Sequence, residues 1–184
     1  MKCWRTFDFE RRYGFNKIII FSFILMMMFF SFSFAFMQSL YAETLYSSYF
    51  ELFLILLLAI YPLHKLVHML PILRYLPHMT FKYSLKLGCL PVIFITIKKP
   101  VPKNRFMLSL VLPFFIINPV LLLSGVLFPH YLHYFTMLSA FHTGICVMDF
   151  IYLKALVTSP KSSVIEEHDR GYEILIPQEI KQTV

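Results

Sequence analysis

The sequence predicts an all-α membrane protein: four transmembrane helices, with a small cytoplasmic β-hairpin between helices two and three. Two observations predict this fold class. Hydrophobic residues are 58% of the 184 and charged residues only 15%, whereas a soluble domain carries roughly a quarter charged residues. The apolar residues also fall into four runs of about 20 residues or more, the length that crosses a bilayer's hydrocarbon core. The excess apolar surface must therefore face lipid.

The apolar runs divide the chain into segments. Residues 18–37 contain no charge, and this run exceeds the roughly 7–15 apolar residues of a cleaved signal peptide, so it predicts a retained helix. The full division is a cytoplasmic N-terminal segment 1–17, a transmembrane domain 18–157 with spans at about 18–37, 50–73, 106–128 and 131–157, a basic loop 74–105 between the second and third spans, and a cytoplasmic tail 158–184.

The middle of the basic loop has the pattern of β structure. Residues 81–87 alternate apolar with polar side chains, a period of two, and 92–97 is a β-branched run after a turn at 88–91. This pattern predicts a hairpin at the membrane surface. The short apolar stretch 172–176 in the tail is expected to add a strand to it.

The distribution of basic residues predicts the orientation. Nearly all Lys and Arg lie before the first span, between the second and third, or after the fourth, and the other two connections hold none. Positive loops stay inside, so both termini and the basic loop are expected in the cytoplasm of a multi-pass protein of the cell membrane. Because this accounts for the net charge of +7, no nucleic-acid partner is expected.

Three ionisable residues within the spans form a candidate metal site. His64 and His68 are four residues apart, so they project from one helix face about 6 Å apart, as two ligands of one zinc ion would. Asp149 lies within about one helical turn of the same depth in the fourth span. Because each such group costs roughly 2.5–3.5 kcal/mol near the bilayer centre, a metal would explain all three.

Other interpretations stay open at this point. Interfacial histidines also hydrogen-bond neighbouring helices without a metal, and spacing alone does not separate the two cases. His142, two turns from Asp149, would be a fourth ligand only if the helices tilt, and is otherwise interpreted as a supporting or pore-lining group. Asn118, just before Pro119, is expected to bond carbonyls freed by the proline. The three cysteines (Cys3, Cys89 and Cys146) form no CxxC pair, so neither a disulfide framework nor a thiolate zinc cluster is indicated.

The combined pattern resembles the putative zincin peptidase family, which comprises small bacterial integral membrane proteins. The resemblance is carried by YPLHKLVHMLP at 61–71, the basic β-like loop, the span with Asn118, and FHTGICVMDFIYLKAL at 141–156. It implies His64, His68 and Asp149 as ligands of Zn²⁺. It also implies a peptide or membrane-protein substrate beside the lipid bilayer.

Lys65 departs from the family pattern. In zincins the residue after the first histidine is a glutamate that takes a proton from the attacking water, whereas here it is a lysine, and an ammonium accepts no proton. Position 65 is therefore the catalytic position with its base missing, and we expect a zinc metallopeptidase-like site that is degenerate or reworked. The alternative is a non-enzymatic membrane scaffold or regulator without metal.

Overall fold

The computed structural model describes residues 2–8, 14–86, 90–97, 100–168 and 171–176. Four long α-helices dominate it: α1 Phe15–Tyr41, α2 Phe50–Met69, α3 Lys103–Leu127 and α4 Leu132–Val157. All four are long and apolar enough to cross a membrane by length and composition. The prediction of four such helices with a small antiparallel β element is confirmed. Two 3₁₀ helices complete the helical part, Leu70–His78 after α2 and Pro129–Tyr131 before α4.

The backbone between α1 and α2 makes both helix boundaries sharp. Ala42, which follows α1, has a left-handed conformation and donates its N–H to the carbonyl of Gln38. Tyr49, which precedes α2, is also left-handed, with φ of 66°. Left-handed residues cannot continue a right-handed helix. Helix α1 therefore ends at Tyr41, just before Ala42, and α2 begins at Phe50, just after Tyr49.

Helix α4 is the centre of the bundle. It packs against α1, α2 and α3, and its buried side chains include Leu138, His142, Cys146 and Asp149. The outer helices instead carry large exposed apolar side chains, such as Phe32 at 75% exposure on α1 and Leu58 at 77% on α2. A helix surface of this kind suits lipid rather than water.

A four-stranded antiparallel sheet lies at one end of the bundle, with the strand order β1-β6-β5-β4. It contains the strands β1 Lys2–Asp8, β4 Val101–Pro102, β5 Val164–His168 and β6 Gly171–Ile176. Val101, Ile165 and Ile174 of the sheet are buried with Leu156 of α4 and Phe106 of α3. This apolar cluster attaches the sheet to the end of the bundle where α3 begins and α4 ends.

The strands β2 Met79–Lys86 and β3 Leu90–Ile97 form a separate two-stranded antiparallel hairpin between α2 and α3. The expectation that residues 172–176 extend this hairpin is wrong. They do form a strand, β6, but it pairs with β5 on one side and β1 on the other. The physical reason is local: β5 and β6 are separated by two residues, so they close their own hairpin, and β1 takes the remaining edge.

Candidate metal centre

His64 and His68 stand one turn apart on the inward face of α2. Both side chains are buried, and their ring centroids lie 4.4 Å apart with the ring planes nearly perpendicular. Helical spacing accounts for the contact, because residues i and i+4 overlie each other on one face. The Nε2 atoms of the two rings are 2.9 Å apart. Both rings therefore present the same nitrogen to one small region between the helices.

Asp149 of α4 completes this cluster. Its Oδ2 lies 3.3 Å from Nε2 of His64, and its Oδ1 lies 3.3 Å from Nε2 of His68. All three residues are buried, and one ligand atom from each lies within 4.8 Å of the other two. The structure thus brings together the three residues that the sequence analysis singles out. We call this the His–His–Asp cluster.

Helix α3 fixes the orientation of His68. The Nδ1 atom of His68 lies 2.7 Å from the backbone carbonyl oxygen of Ser109, and the Ser109 hydroxyl donates to the carbonyl oxygen of His68. A carbonyl oxygen only accepts. The proton of neutral His68 is therefore on Nδ1, and its Nε2 carries a lone pair toward Asp149.

A second chain of hydrogen bonds fixes the orientation of His64. His142 lies between two groups, with its Nδ1 3.1 Å from Oδ1 of Asn118 and its Nε2 3.1 Å from Nδ1 of His64. Because the Asn118 oxygen only accepts, neutral His142 carries its proton on Nδ1 and presents a lone pair at Nε2. His64 must then donate from Nδ1, which leaves a lone pair on its Nε2 as well.

The Asn118 amide is held in the orientation that this chain requires. Its Nδ2 donates to the hydroxyl of Thr143 at 3.2 Å, and its Oδ1 also accepts from the hydroxyl of Ser139 at 3.0 Å. The expectation that Asn118 serves carbonyls freed by Pro119 is therefore wrong. Its side chain reaches α4, where it is hydrogen-bonded to Ser139, His142 and Thr143 at once, instead of bonding to carbonyls of its own helix.

The outcome is a buried point onto which only acceptor atoms converge. Two imidazole lone pairs and a carboxylate face it, and Asp149 Oδ2 makes no hydrogen bond among the described residues. Such a set is repulsive until a proton or a cation lies between its members. For a tetrahedral ion with bonds of about 2.0–2.1 Å, neighbouring ligand atoms lie about 3.3 Å apart. The two separations from Asp149 to the histidines, 3.3 Å each, match that spacing, and the 2.9 Å between the two Nε2 atoms is shorter than it.

Lys65 lies beside this cluster but not in it. Its side chain is partly exposed and its Nζ stands 6.0 Å from the centre of the Tyr61 ring, one turn earlier on α2. Among the described residues, no carboxylate other than Asp149 belongs to a group that could hold a metal here. The cluster therefore has ligands for a metal, but position 65 presents no group that accepts a proton.

Several residues of the site could not be inferred from spacing. The backbone carbonyl of Ser109 accepts a hydrogen bond from His68, and the Cys146 thiol lies beside both His64 and His142. The available signal was the set of small polar residues in apolar spans, Ser109, Asn118, Ser139 and Thr143. Polar groups in such spans tend to face the bundle interior, but only the packed structure shows which histidine each one supports.

The fold and the cluster define a class of protein: a bundle of four helices able to cross a membrane, with a buried His–His–Asp group suited to a metal ion. Comparison with known families makes this specific. The model of the putative zincin peptidase family matches residues 57–164, more than half of the chain, and the chain therefore belongs to that family. No curated protein and no solved structure matches it.

Proposed function

We propose that this chain is an integral membrane protein that holds one zinc ion through His64, His68 and Asp149. One observation carries the proposal: the three acceptor atoms converge while the other imidazole nitrogens donate to Ser109 and His142. Histidine ligands of metals characteristically donate their second N–H in this way, which fixes the tautomer and the ring orientation. When bound, zinc would supply a Lewis acid that polarises a peptide carbonyl and acidifies water.

We further propose that hydrolysis by this site is slow or absent. The family description suggests a peptidase, but peptide hydrolysis also needs a group that accepts the proton of the attacking water. Lys65 occupies that position, and an ammonium has no acceptor. Asp149 is engaged with both histidines. On this proposal the described residues of the site bind and orient a zinc ion, but none of them is placed to accept the proton of the attacking water.

The competing function is a scaffold or regulator without metal, and the hydrogen-bonding groups of the His–His–Asp cluster are also compatible with this function. One extra proton on His68 would let this imidazolium donate to Ser109 and to Nε2 of His64, beside the Asp149 carboxylate. The repulsion between the two imidazole lone pairs is then relieved without a metal, although Asp149 Oδ2 still makes no hydrogen bond among the described residues. The two proposals differ only in whether a proton or a metal ion occupies the point between the three side chains.

Placement in the cell membrane, with both termini and the basic loop in the cytoplasm, belongs to this proposal. The exposed apolar faces of the four helices support the lipid partner. A peptide or membrane-protein partner would meet the chain at the sheet end of the bundle, near the His–His–Asp cluster. Among the described residues, the hairpin of β2 and β3 pairs with no further strand, although β3 lies against β5, so the β2 edge is the one proposed to pair with an extended peptide.

The deciding experiment is the metal content of detergent-purified protein after reconstitution with zinc and removal of the excess. We expect about one zinc per chain in the wild type, and close to none in His68→Ala and in Asp149→Ala, since two ligands hold zinc poorly. His133→Ala is the matched control, because His133 lies on α4 but outside the cluster, and it should keep one zinc. A wild type without zinc would favour the scaffold.

A further inference from the structure

A second group of potential ligands lies on the other side of the His64 ring. His142 and Cys146 stand one turn apart on α4, and both are fully buried. The Sγ atom of Cys146 lies 3.6 Å from Nε2 of His142 and 3.9 Å from Nδ1 of His64, while those two nitrogens are 3.1 Å apart. One ligand atom from each residue lies within 4.8 Å of the others.

The separations in this group suit a metal ion. With metal–nitrogen bonds of about 2.0–2.1 Å and a metal–sulfur bond of about 2.3 Å, neighbouring ligands lie about 3.3–3.6 Å apart. The observed separations of 3.1, 3.6 and 3.9 Å bracket that range. A thiolate also changes which metal is preferred, because soft sulfur ligands select ions such as Cu⁺, while a carboxylate suits harder cations.

We propose that His64, His142 and Cys146 form a second metal position, for a soft monovalent cation such as Cu⁺, and that it competes with the zinc position for His64. Charge favours a monovalent ion here. Cu⁺ with one thiolate and two neutral imidazoles has no net charge, and burying a neutral group costs far less than burying a charged one. The proposed zinc position differs, because its ligands include the Asp149 carboxylate.

Competition follows from the single proton on neutral His64. With that proton on Nδ1, donated to His142, the Nε2 lone pair serves the zinc position. With the proton on Nε2, it faces Oδ2 of Asp149 at 3.3 Å, and the Nδ1 lone pair serves the second position. His142 keeps its proton on Nδ1 toward Asn118 in both cases. Binding of Cu⁺ therefore releases one proton, from the Cys146 thiol to solvent, and moves another within His64.

The test measures Cu⁺ affinity of the full chain by competition with a chromophoric Cu⁺ chelator, under anaerobic reducing conditions. The background carries Cys3→Ser and Cys89→Ser, so that Cys146 is the sole thiol. We expect one Cu⁺ per chain. Cys146→Ser in this background should weaken Cu⁺ binding by more than the roughly 10–100-fold typical for loss of a residue that merely supports a ligand, and should leave zinc content unchanged, which shows that the variant folds.

Two further arms separate this proposal from the zinc proposal. Asp149→Asn keeps an acceptor for His64 and should lose zinc while retaining Cu⁺. One equivalent of Cu⁺ added to zinc-loaded protein should release about one zinc, detected with a zinc indicator. Cu⁺ affinity that is indifferent to Cys146→Ser overturns the second position. Full retention of zinc beside bound Cu⁺ overturns the sharing of His64. Absence of zinc with Cys146-dependent Cu⁺ binding contradicts the zinc proposal alone.

Discussion

Histidines occur at both ends of this bundle, and their surroundings differ. At the sheet end, His64 and His68 share a carboxylate, and each is oriented by a partner on another helix. At the opposite end, Nδ1 of the His130 ring donates to the carbonyl oxygen of Thr44, 3.0 Å away, and the ring stacks on Tyr46 with a centroid separation of 4.5 Å. The His133 ring lies against Tyr134 with the two ring planes tilted by 45°, and its Nδ1 has no hydrogen bond among the described residues.

The comparison shows what distinguishes a candidate metal site from a helix-end histidine. Spacing does not, because His130 and His133, like His64 and His68, lie about one helical turn apart. The difference lies in the surrounding groups. Other helices place Ser109, Asn118 and Asp149 around the histidines at the sheet end, whereas His130 and His133 contact aromatic rings and a loop carbonyl. Convergence of oriented lone pairs, rather than the number of histidines, is the property that variants should test.

The largest expected difference between the two ends is in their accessibility across the membrane. In cells, single cysteines at Glu43→Cys and Tyr131→Cys should react with an impermeant thiol reagent added outside, while Lys99→Cys and Thr183→Cys should react only after permeabilisation. The physical reason is that Lys- and Arg-rich segments remain on the cytoplasmic side. The background carries serine at the three native cysteines. Labelling of Lys99→Cys or Thr183→Cys in intact cells would contradict the predicted cytoplasmic location of these segments.

The next effect concerns Lys65. Lys65→Glu restores the residue order of HExxH next to the cluster and should bring zinc-dependent hydrolysis of a membrane-adjacent peptide above the wild-type level, because a general base contributes roughly 10²–10⁴-fold. It should also tighten zinc binding by removing a neighbouring positive charge. Peptide cleavage and zinc affinity are measured on the same preparations.

Two controls accompany Lys65→Glu. Lys154→Glu makes the same change of charge at an exposed position of α4 near the sheet end, and it should alter neither quantity. The double variant Lys65→Glu with His68→Ala should lose both gains, since a ligand is missing. Strong zinc-dependent cleavage by the wild type that disappears in Lys65→Ala would instead identify Lys65, in its neutral form, as the base.

The smallest effect concerns the residues that orient His64. Asn118→Leu preserves the approximate side-chain size but removes the acceptor that holds the proton on Nδ1 of His142. Loss of a supporting partner typically weakens metal affinity by about 10–100-fold, and we expect a loss of that size in zinc affinity. Ser124→Ala, on the same helix, removes a partly exposed hydroxyl that donates to the carbonyl of Val120, and it should leave the affinity unchanged. Equal affinities in wild type and Asn118→Leu would show that the hydrogen bonds from Asn118 through His142 to His64 do not affect zinc affinity.

The parts of this fold that could be predicted from sequence are those that depend on one segment at a time. Apolar run length predicts the helices, and period-two alternation predicts the hairpin at β2 and β3. Residues 172–176 pair with β5, which is nearby in the sequence, and with β1, which is far away. No local pattern in the sequence encodes these strand partners. The partners of Asn118 escape local prediction for the same reason, because its amide can bond to its own helix or to α4, and only the packed structure shows that it bonds to α4.

The pairing of β1 with β6 also bears on the order in which the chain can fold. Lys2 is in register with Ile176, and among the described residues β6 is the one strand that pairs with β1. Strand β1 thus has no place in this sheet until β6 has been synthesised, and all four long helices lie between these two strands in the sequence. Closing so long a loop is the slowest kind of contact to form. During translation β1 remains an open strand edge, and a chain shortened before β6 would keep that edge exposed to aggregation and proteolysis.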